Sequence, residues 1–416
     1  MTGEPRAVGL RLHEQPVATL VEAGRGTGHP AYILQFERSW VDRVERPVLS
    51  LGALDWRMDI ARRFPGRLPA FLTNLLPERD GALRRRIARA ACIDEQDDMA
   101  LLLYVGRDMS GAIVCEPTEG VTPARRVLEQ SEAPTALPAD RLRWSLGGIQ
   151  LKFSVERRER VVLPLHGRGS WILKIPDIRH PGLARAEYAA MEWARAVGFE
   201  VPRVEVMDPH EVDGLPPDAC ENLSEALLVQ RFDRREDLVQ IHMEEMASVL
   251  RVHPEFKYPD PPSPHAYNLV VVGRLVKRFA GPDALRTLLA RVVFDVMAGN
   301  GDAHLKNWAF LFPDGRTPQL APAYDILPTI LYGYPPEMAL PLTSEKAFRA
   351  FDISRIRQWA LKLEVSPEEY VDVARETVAR AAATFHEVMA RCGISGEAVQ
   401  VLRKHWESLP IVRLQE

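Results

Sequence analysis

Apolar positions along the chain follow two periods, and each predicts an element. Over residues 283–297, Leu285, Leu288, Leu289, Val292, Val293, Val296 and Met297 recur at helical spacing, which predicts a buried helix. Ten residues beyond it, Trp308-Ala309-Phe310-Leu311-Phe312 is an apolar run of strand length. Pro313-Asp314-Gly315 supplies a turn and a second extended run covers 319–324, so this segment reads as a hairpin. Upstream, extended segments at 150–155, 161–165 and 171–175 are separated by a charged turn at 156–160 and a glycine-containing turn at 166–170, and an amphipathic helix follows at 182–197. After Asp352 the pattern is helical, with segments at 353–363, 367–391 and 397–408. Strands first and helices later predict a bilobal α+β architecture.

The 416 residues are enough for two or three domains with sizeable cores. The 33 prolines mark joints: 117–140 reads as a linker and 260–264 as a surface loop. There is no internal repeat and no low-complexity tract. A net charge of -4 argues against a dedicated nucleic-acid binder. No apolar stretch reaches membrane-spanning length and the first six residues contain no apolar signal core, so a soluble, cytoplasmic protein without membrane association is expected. Cys92, Cys115, Cys220 and Cys392 are far apart without metal-type spacing, which fits free thiols in a reducing compartment.

Between the predicted helix and the hairpin lies Gly299-Asn300-Gly301-Asp302-Ala303-His304-Leu305-Lys306-Asn307. An Asp five residues before an Asn is the spacing of a kinase catalytic loop, where the Asp orients or deprotonates the attacking hydroxyl and the Asn oxygen binds magnesium. Asp325 stands at the exit of the hairpin, where a second carboxylate is needed to hold magnesium against phosphate. Lys174 lies inside an apolar strand, and a lysine there either snorkels to the surface or meets anions. Glu187 or Glu192 of the next helix is its partner. The paired glycines of Ser145-Leu146-Gly147-Gly148-Ile149-Gln150 let backbone amides approach phosphate oxygens, or form an ordinary turn. Only eight of the 53 Lys+Arg are lysines, at 152, 174, 257, 277, 306, 346, 362 and 404, yet Lys152, Lys174 and Lys306 fall inside these motifs. Lys306 steadies a transferred phosphoryl group or pairs with a carboxylate.

Further segments join the set: Phe71-Leu72-Thr73-Asn74-Leu75-Leu76-Pro77-Glu78, Gly106-Arg107-Asp108-Met109-Ser110-Gly111-Ala112, Leu228-Val229-Gln230-Arg231-Phe232-Asp233-Arg234 and Pro322-Ala323-Tyr324-Asp325-Ile326. With the glycine loop through Lys152 and the 301–307 loop, they resemble, in order, the motifs of the HipA family, the kinase toxins of HipBA-type toxin–antitoxin modules. The resemblance covers nearly the whole chain. It implies a protein/lipid-kinase-like fold with an additional N-terminal α/β subdomain at 1–120, a linker at 121–140, an N-lobe with the glycine loop at 141–233 and a mainly helical C-lobe with the catalytic loop at 234–416.

The resemblance also implies roles. Asp302 is the catalytic aspartate with Lys306 beside it, Asn307 and Asp325 bind magnesium, and Lys174 contacts the ATP phosphates. Gln230 and Phe232 lie along the adenine, while Gly147, Gly148, Gln150 and Lys152 cover the phosphates. His304 belongs to the same nucleotide site, although loop packing suits it better than acid–base work. Ser145 corresponds to the serine that family members autophosphorylate to silence themselves, a change that puts about two negative charges where ATP phosphates sit. The implied partners are a HipB-like helix-turn-helix antitoxin, DNA only through that antitoxin, and a protein substrate among the aminoacyl-tRNA synthetases, the glutamyl enzyme first. Gly147 and Ile149 replace two alanines of the family loop, and Ile241-His242-Met243-Glu244-Glu245-Met246 matches a family segment only in part, so Glu244 and Glu245 receive no role. The chemistry residues are intact, and an active kinase is expected. A small-molecule kinase on a similar fold and a non-catalytic antitoxin-binding co-repressor are the alternatives.

Overall fold

The computed structural model describes residues 6–24, 30–79, 81–118, 127–129, 151–157, 161–162, 169–215, 220, 223–235, 237, 239–259 and 267–413. Ser145, Gly147, Gly148 and Gln150 lie outside the described residues.

The first unit is a sheet of β1 (Ala7–Leu12), β2 (Gln15–Ala23), β3 (Ala31–Phe36), β4 (Ala61–Pro65), β5 (Ile113–Pro117) and β6 (Val127–Glu129), in the order β5-β1-β2-β3-β4-β6. Alternation drives it: in β1, Val8, Leu10 and Leu12 are buried while their neighbours are half-exposed. The helices α1 (Arg38–Val41), α2 (Ala70–Thr73), α3 (Ala82–Ala91) and α4 (Asp98–Val105) complete the unit around Trp40, Trp56, Phe64 and Phe71. The linker expected over 121–140 is partly sheet, because β6 pairs with β4 in parallel. Its Pro-containing neighbours masked three residues able to satisfy an open strand edge.

The second unit is an antiparallel sheet, β10-β11-β9-β7-β8, built from β7 (Leu151–Arg157), β8 (Val161–Val162), β9 (Trp171–Ile175), β10 (Val204–Met207) and β11 (Ala226–Gln230). The helix α5 (Leu183–Val197) connects β9 to β10. Its Trp193 lies edge-on between Phe294 and Phe385 at 4.9 and 5.0 Å and donates to the Ala381 carbonyl at 2.9 Å, fastening this unit to the helices that follow.

The third unit holds β12 (His242–Glu245), α6 (Met246–Val249), α7 (Leu269–Ala298), β13 (Ala309–Phe312), β14 (Gln319–Leu320), α8 (Ile353–Lys362), α9 (Pro367–Cys392) and α10 (Gly396–Ser408). The expected hairpin is the β13-β14 pair, and β12 adds to its other edge. The second strand ends at Leu320, with one more bond from the Ala321 amide to the Ala309 carbonyl at 2.9 Å, rather than continuing to Tyr324, since Pro322 has no N–H for the ladder and Ala323 donates to the Glu200 carbonyl at 2.8 Å. The helix expected at 283–297 is the second half of α7. Gly281 at φ 87° and Pro282 break the element there, and an apolar first half begins at Leu269, capped by Asn268 Oδ1 accepting from Val270 and Val271.

The first unit docks on the other two through buried charge. Arg231 and Arg234 face Asp108 and Asp233 at 2.8–3.0 Å, and the Gly111 amide donates to Asp233 at 2.7 Å. On β12, the buried Glu244 accepts from the Leu51 amide at 2.7 Å and from the Ser50 hydroxyl at 2.5 Å. The α+β bilobal architecture read from the pattern is the one adopted. All four cysteines are free thiols, and among the described residues no helix is long and apolar enough to cross a membrane.

Candidate active site

The 299–307 loop is held by its own backbone and by its neighbours. Gly299 caps α7 in the left-handed region, at φ 67°. Asn300 then folds back on the helix: its amide donates to the Asp295 carbonyl and its Nδ2 to Asp295 Oδ1, both at 2.8 Å. Burial pushes the Asp295 carboxyl up to about 6, which Asn300 and then Arg291 partly oppose. The Gly301 amide donates to Thr329 Oγ1 at 2.9 Å, and a Cβ at Gly301 would sit 2.7 Å from the Glu337 carbonyl oxygen, so the turn requires glycine. Within the loop, Asn307 Nδ2 donates to the Asp302 carbonyl at 3.0 Å. That commits the amide nitrogen to the backbone of the loop.

Asp302 is half-buried, and its Oδ1 accepts a hydrogen bond from the Tyr258 hydroxyl. Burial raises its carboxyl to about 6; Lys257 and the Tyr258 hydrogen bond pull it down, and the charges of Asp325 and Glu78 push it up. A cleft of about 530 Å³ opens beside it, lined by Tyr258, Tyr332, Tyr334, Glu337 and Lys346. His304 packs edge-on against Tyr258 at 5.1 Å and its Nδ1 accepts from the Lys306 amide at 3.3 Å. Burial, then Lys257, holds its imidazole well below its usual range, so it is neutral and a packing residue of the loop. Lys306 Nζ reaches Glu245 Oε2 and the Asn74 carbonyl, each at 2.6 Å; the carboxylate pairing left open by the sequence is thus made.

Across the lobes, Lys174 of β9 is buried and lies between two carboxylates, Glu187 of α5 and Asp325, whose Oδ1 is 2.5 Å from Nζ. Of the two glutamates considered, Glu187 is the partner. Glu192 instead turns to Arg195 at 3.1 Å and Arg391 at 3.7 Å. Lys152, opposite Lys174 in the β7–β9 ladder, places Nζ 3.3 Å from Asp325 Oδ2. Burial alone would raise the Asp325 carboxyl, but Lys152 and Lys174 hold it far below the usual carboxylate range. Glu187, enclosed by burial and repelled by Asp325, is raised. Of the two acids sharing Lys174, ionisation is favoured at Asp325 and disfavoured at Glu187. It sits at φ 58°, a left-handed conformation that Asp tolerates better than most residues.

The remaining sequence-derived positions frame this cluster. Gln230 ends β11, half-buried, with its amide donating to the Arg203 carbonyl at 2.8 Å. Phe232 lies tilted against Tyr324 at 5.1 Å, and the Tyr324 hydroxyl donates to the Lys306 carbonyl at 2.8 Å, so the joint between lobes touches the loop through one ring pair. The sequence reading missed Tyr258 and gave no role to Lys257 or Glu245, nor to Asn74 and Glu78 individually, although the last two stand in one of its motifs. Lysine scarcity was a usable signal for Lys257, the fourth of eight lysines at the site.

Residues 9–116 match the family model described as HipA N-terminal domain, and residues 144–385 match that of the HipA-like C-terminal domain. The chain belongs to the HipA-like family. It is similar to a Sinorhizobium fredii protein named "Putative kinase Y4dM", 32% identical over 413 residues and 97% of both chains. It is also similar to the serine/threonine-protein kinase toxin HipA of Shewanella oneidensis, 24% identical over 311 residues and 67% of both chains. The fold matches a chain in the solved complex of Shewanella oneidensis HipA, HipB and operator DNA, with a TM-score of 0.71 at 16% identity, covering 98% of this chain and 96% of that one. This HipA-like protein therefore has an α+β kinase-like fold.

Proposed function

We propose that this HipA-like protein is an ATP- and magnesium-dependent serine/threonine protein kinase and the toxin of a toxin–antitoxin module. The observation that carries the reading is the chain of contacts among residues from one loop, one hairpin exit and one strand: Asn307 donates to the Asp302 carbonyl at 3.0 Å, Lys174 donates to Asp325 at 2.5 Å, and the Asp325 charge acts on the Asp302 carboxyl. Asp325 as an anion and Asn307 Oδ1 are oxygen donors only, a set that fits magnesium, which takes one or two carboxylates and keeps waters and phosphate oxygens. Bound there, the ion would neutralise charge on the transferring phosphoryl group. Lys174 and Lys152 supply cations on the phosphate side, with Gly147, Gly148 and Gln150 expected to fold over it and Gln230 and Phe232 to border the base. Asp302 accepts the proton of the acceptor hydroxyl as its oxygen bonds to the γ-phosphorus and ADP leaves.

The Shewanella oneidensis relatives support a small HipB-like antitoxin as partner, with DNA reached through it. An aminoacyl-tRNA synthetase, the glutamyl enzyme first, is the proposed substrate, Ser145 the self-modified residue, the cytoplasm the compartment, and translational arrest with dormancy the outcome. Purified protein with labelled ATP and magnesium in a cell lysate tests this. Labelled protein lost in both Asp302→Asn and Asp325→Asn is expected; label that persists in both variants, or appears only in a small molecule, overturns the assignment. Ser145→Ala should abolish self-labelling while retaining transfer to other proteins.

A further inference from the structure

We infer that the N-terminal domain is a working part of the catalytic site, with Asn74 and Glu78 acting as positioning residues that hold the two lysines flanking Asp302. The inference rests on the phosphoryl-transfer reading and goes beyond it, because that reading draws its residues only from the two lobes.

After α2 the chain crosses onto the third unit. Thr73 Oγ1 lies 2.9 Å from His253 Nδ1, and Asn74 Nδ2 donates to the Val252 carbonyl at 2.7 Å and back to Ala70 at 2.9 Å. The carbonyl of Asn74 is thereby fixed where Lys306 Nζ reaches it at 2.6 Å. Four residues on, Glu78 Oε1 is 2.5 Å from Lys257 Nζ, whose side chain is 4% exposed. The Lys257 carbonyl accepts the Leu305 amide at 3.3 Å, and the adjacent Tyr258 donates to the Asp302 carboxylate. The loop is thus gripped at both lysines by one short segment of another domain. A buried ammonium without its counter-ion relocates toward other anions, and the nearest alternatives here are the site's own carboxylates. Loss of Glu78 would draw Lys257 toward Asp302 and move Tyr258 with it. Misplacement of a reacting group by about 1 Å can cost up to about 100-fold in rate while leaving nucleotide binding intact.

The test uses the full chain, labelled ATP and the best protein acceptor found in lysate, measuring kcat, KM for ATP and melting temperature. Glu78→Gln should lower kcat by about tenfold or more with KM for ATP within about twofold. Glu78→Asp should recover part of the loss, and Glu78→Gln with Lys257→Met should be no slower than Lys257→Met alone, since both remove one coupled pair. Arg67→Ala breaks another ion pair of the same seam, Arg67 with Glu255 at 2.5 Å, and controls for docking stability. Equal kcat losses in Arg67→Ala and Glu78→Gln, a Glu78→Gln kcat within about twofold of wild type, or losses that multiply in the double variant would each overturn the inference. Wild-type protein without any transfer would overturn the kinase reading itself.

Discussion

Replacing Lys174 by Met keeps the unbranched apolar stem of the side chain, one atom shorter, and removes its charge from between two acids. The Lys174 side chain is 6% exposed, that of Glu187 1% and that of Asp325 27%. Removing one partner of a buried ion pair costs about 3–5 kcal/mol. Lys152 still faces Asp325 at 3.3 Å and Glu187 can take up a proton, so the low end, about 3 kcal/mol, is expected at pH 7.5. Adding Glu187→Gln to Lys174→Met removes the buried acid that faced Lys174 and should return about 2 kcal/mol of that loss, while phosphotransfer stays absent if Lys174 is the phosphate-side cation. The sign with pH follows from Glu187, whose folded carboxyl is raised above its unfolded value. Its contribution is fully present below about 4.5 and is lost as pH rises through the folded value. The gap between single and double variants should therefore narrow at pH 5 and widen at pH 8. Urea unfolding at both pH values, with equal m-values, measures it. A single variant within about 0.5 kcal/mol of wild type, or a double variant no more stable than the single, would refute the shared-lysine account.

Asp302→Asn should reduce kcat by about 10²–10⁴-fold with little change in melting temperature, and wild-type activity should fall as pH drops through about 6, where Asp302 takes up a proton; a flat profile down to pH 5 would contradict its role as base. Gly301→Ala pushes a methyl to 2.7 Å from the Glu337 carbonyl, so kcat should drop by about tenfold or more while nucleotide affinity holds, which single-turnover rates and ATP titration would show. Burial raises Glu244 to about 7, opposed by its bonds from Ser50 and Leu51, so its contribution to stability is greatest below 4.5 and declines up to about pH 7. Glu244→Gln, which cannot ionise, should therefore be less disadvantaged at pH 8 than at pH 5, by up to about 3 kcal/mol in denaturant unfolding; a pH-independent difference would remove Glu244 as a titrating element of the domain seam.

How much of this was legible in the sequence depended on the separation of the residues involved. The C-terminal helices were readable because their ends are chemical: Asp352 caps α8 through the Arg355 amide at 2.9 Å, Pro367 opens α9 and Gly393 closes it at φ 66°. The Lys174–Glu187 pair was readable too, since a strand and the helix that follows it leave few partners within reach. The first half of α7 was not, because Gly281-Pro282 imitates a helix boundary while both halves remain stacked in one core. Strand β6 was hidden for the opposite reason, a three-residue sequence that pairs with an edge 66 residues earlier.

The contacts from Asn74 to Lys306 and from Glu78 to Lys257 span 232 and 179 residues. No periodicity or turn chemistry encodes such pairs; what the sequence carries is a motif around Asn74 and Glu78 and the unusual presence of lysine in an arginine-rich chain. Four of the eight lysines gather around Asp302 and Asp325, and each is held by a carboxylate. An ammonium on a flexible stem can be released from one anion to another more readily than a bidentate guanidinium. The three-domain arrangement thus gathers four ammonium groups around Asp302 and Asp325, held on Glu78, Glu187, Glu245 and Asp325. The N-terminal domain takes part through Glu78 on Lys257 and the Asn74 carbonyl on Lys306, so residues from all three units meet at one loop.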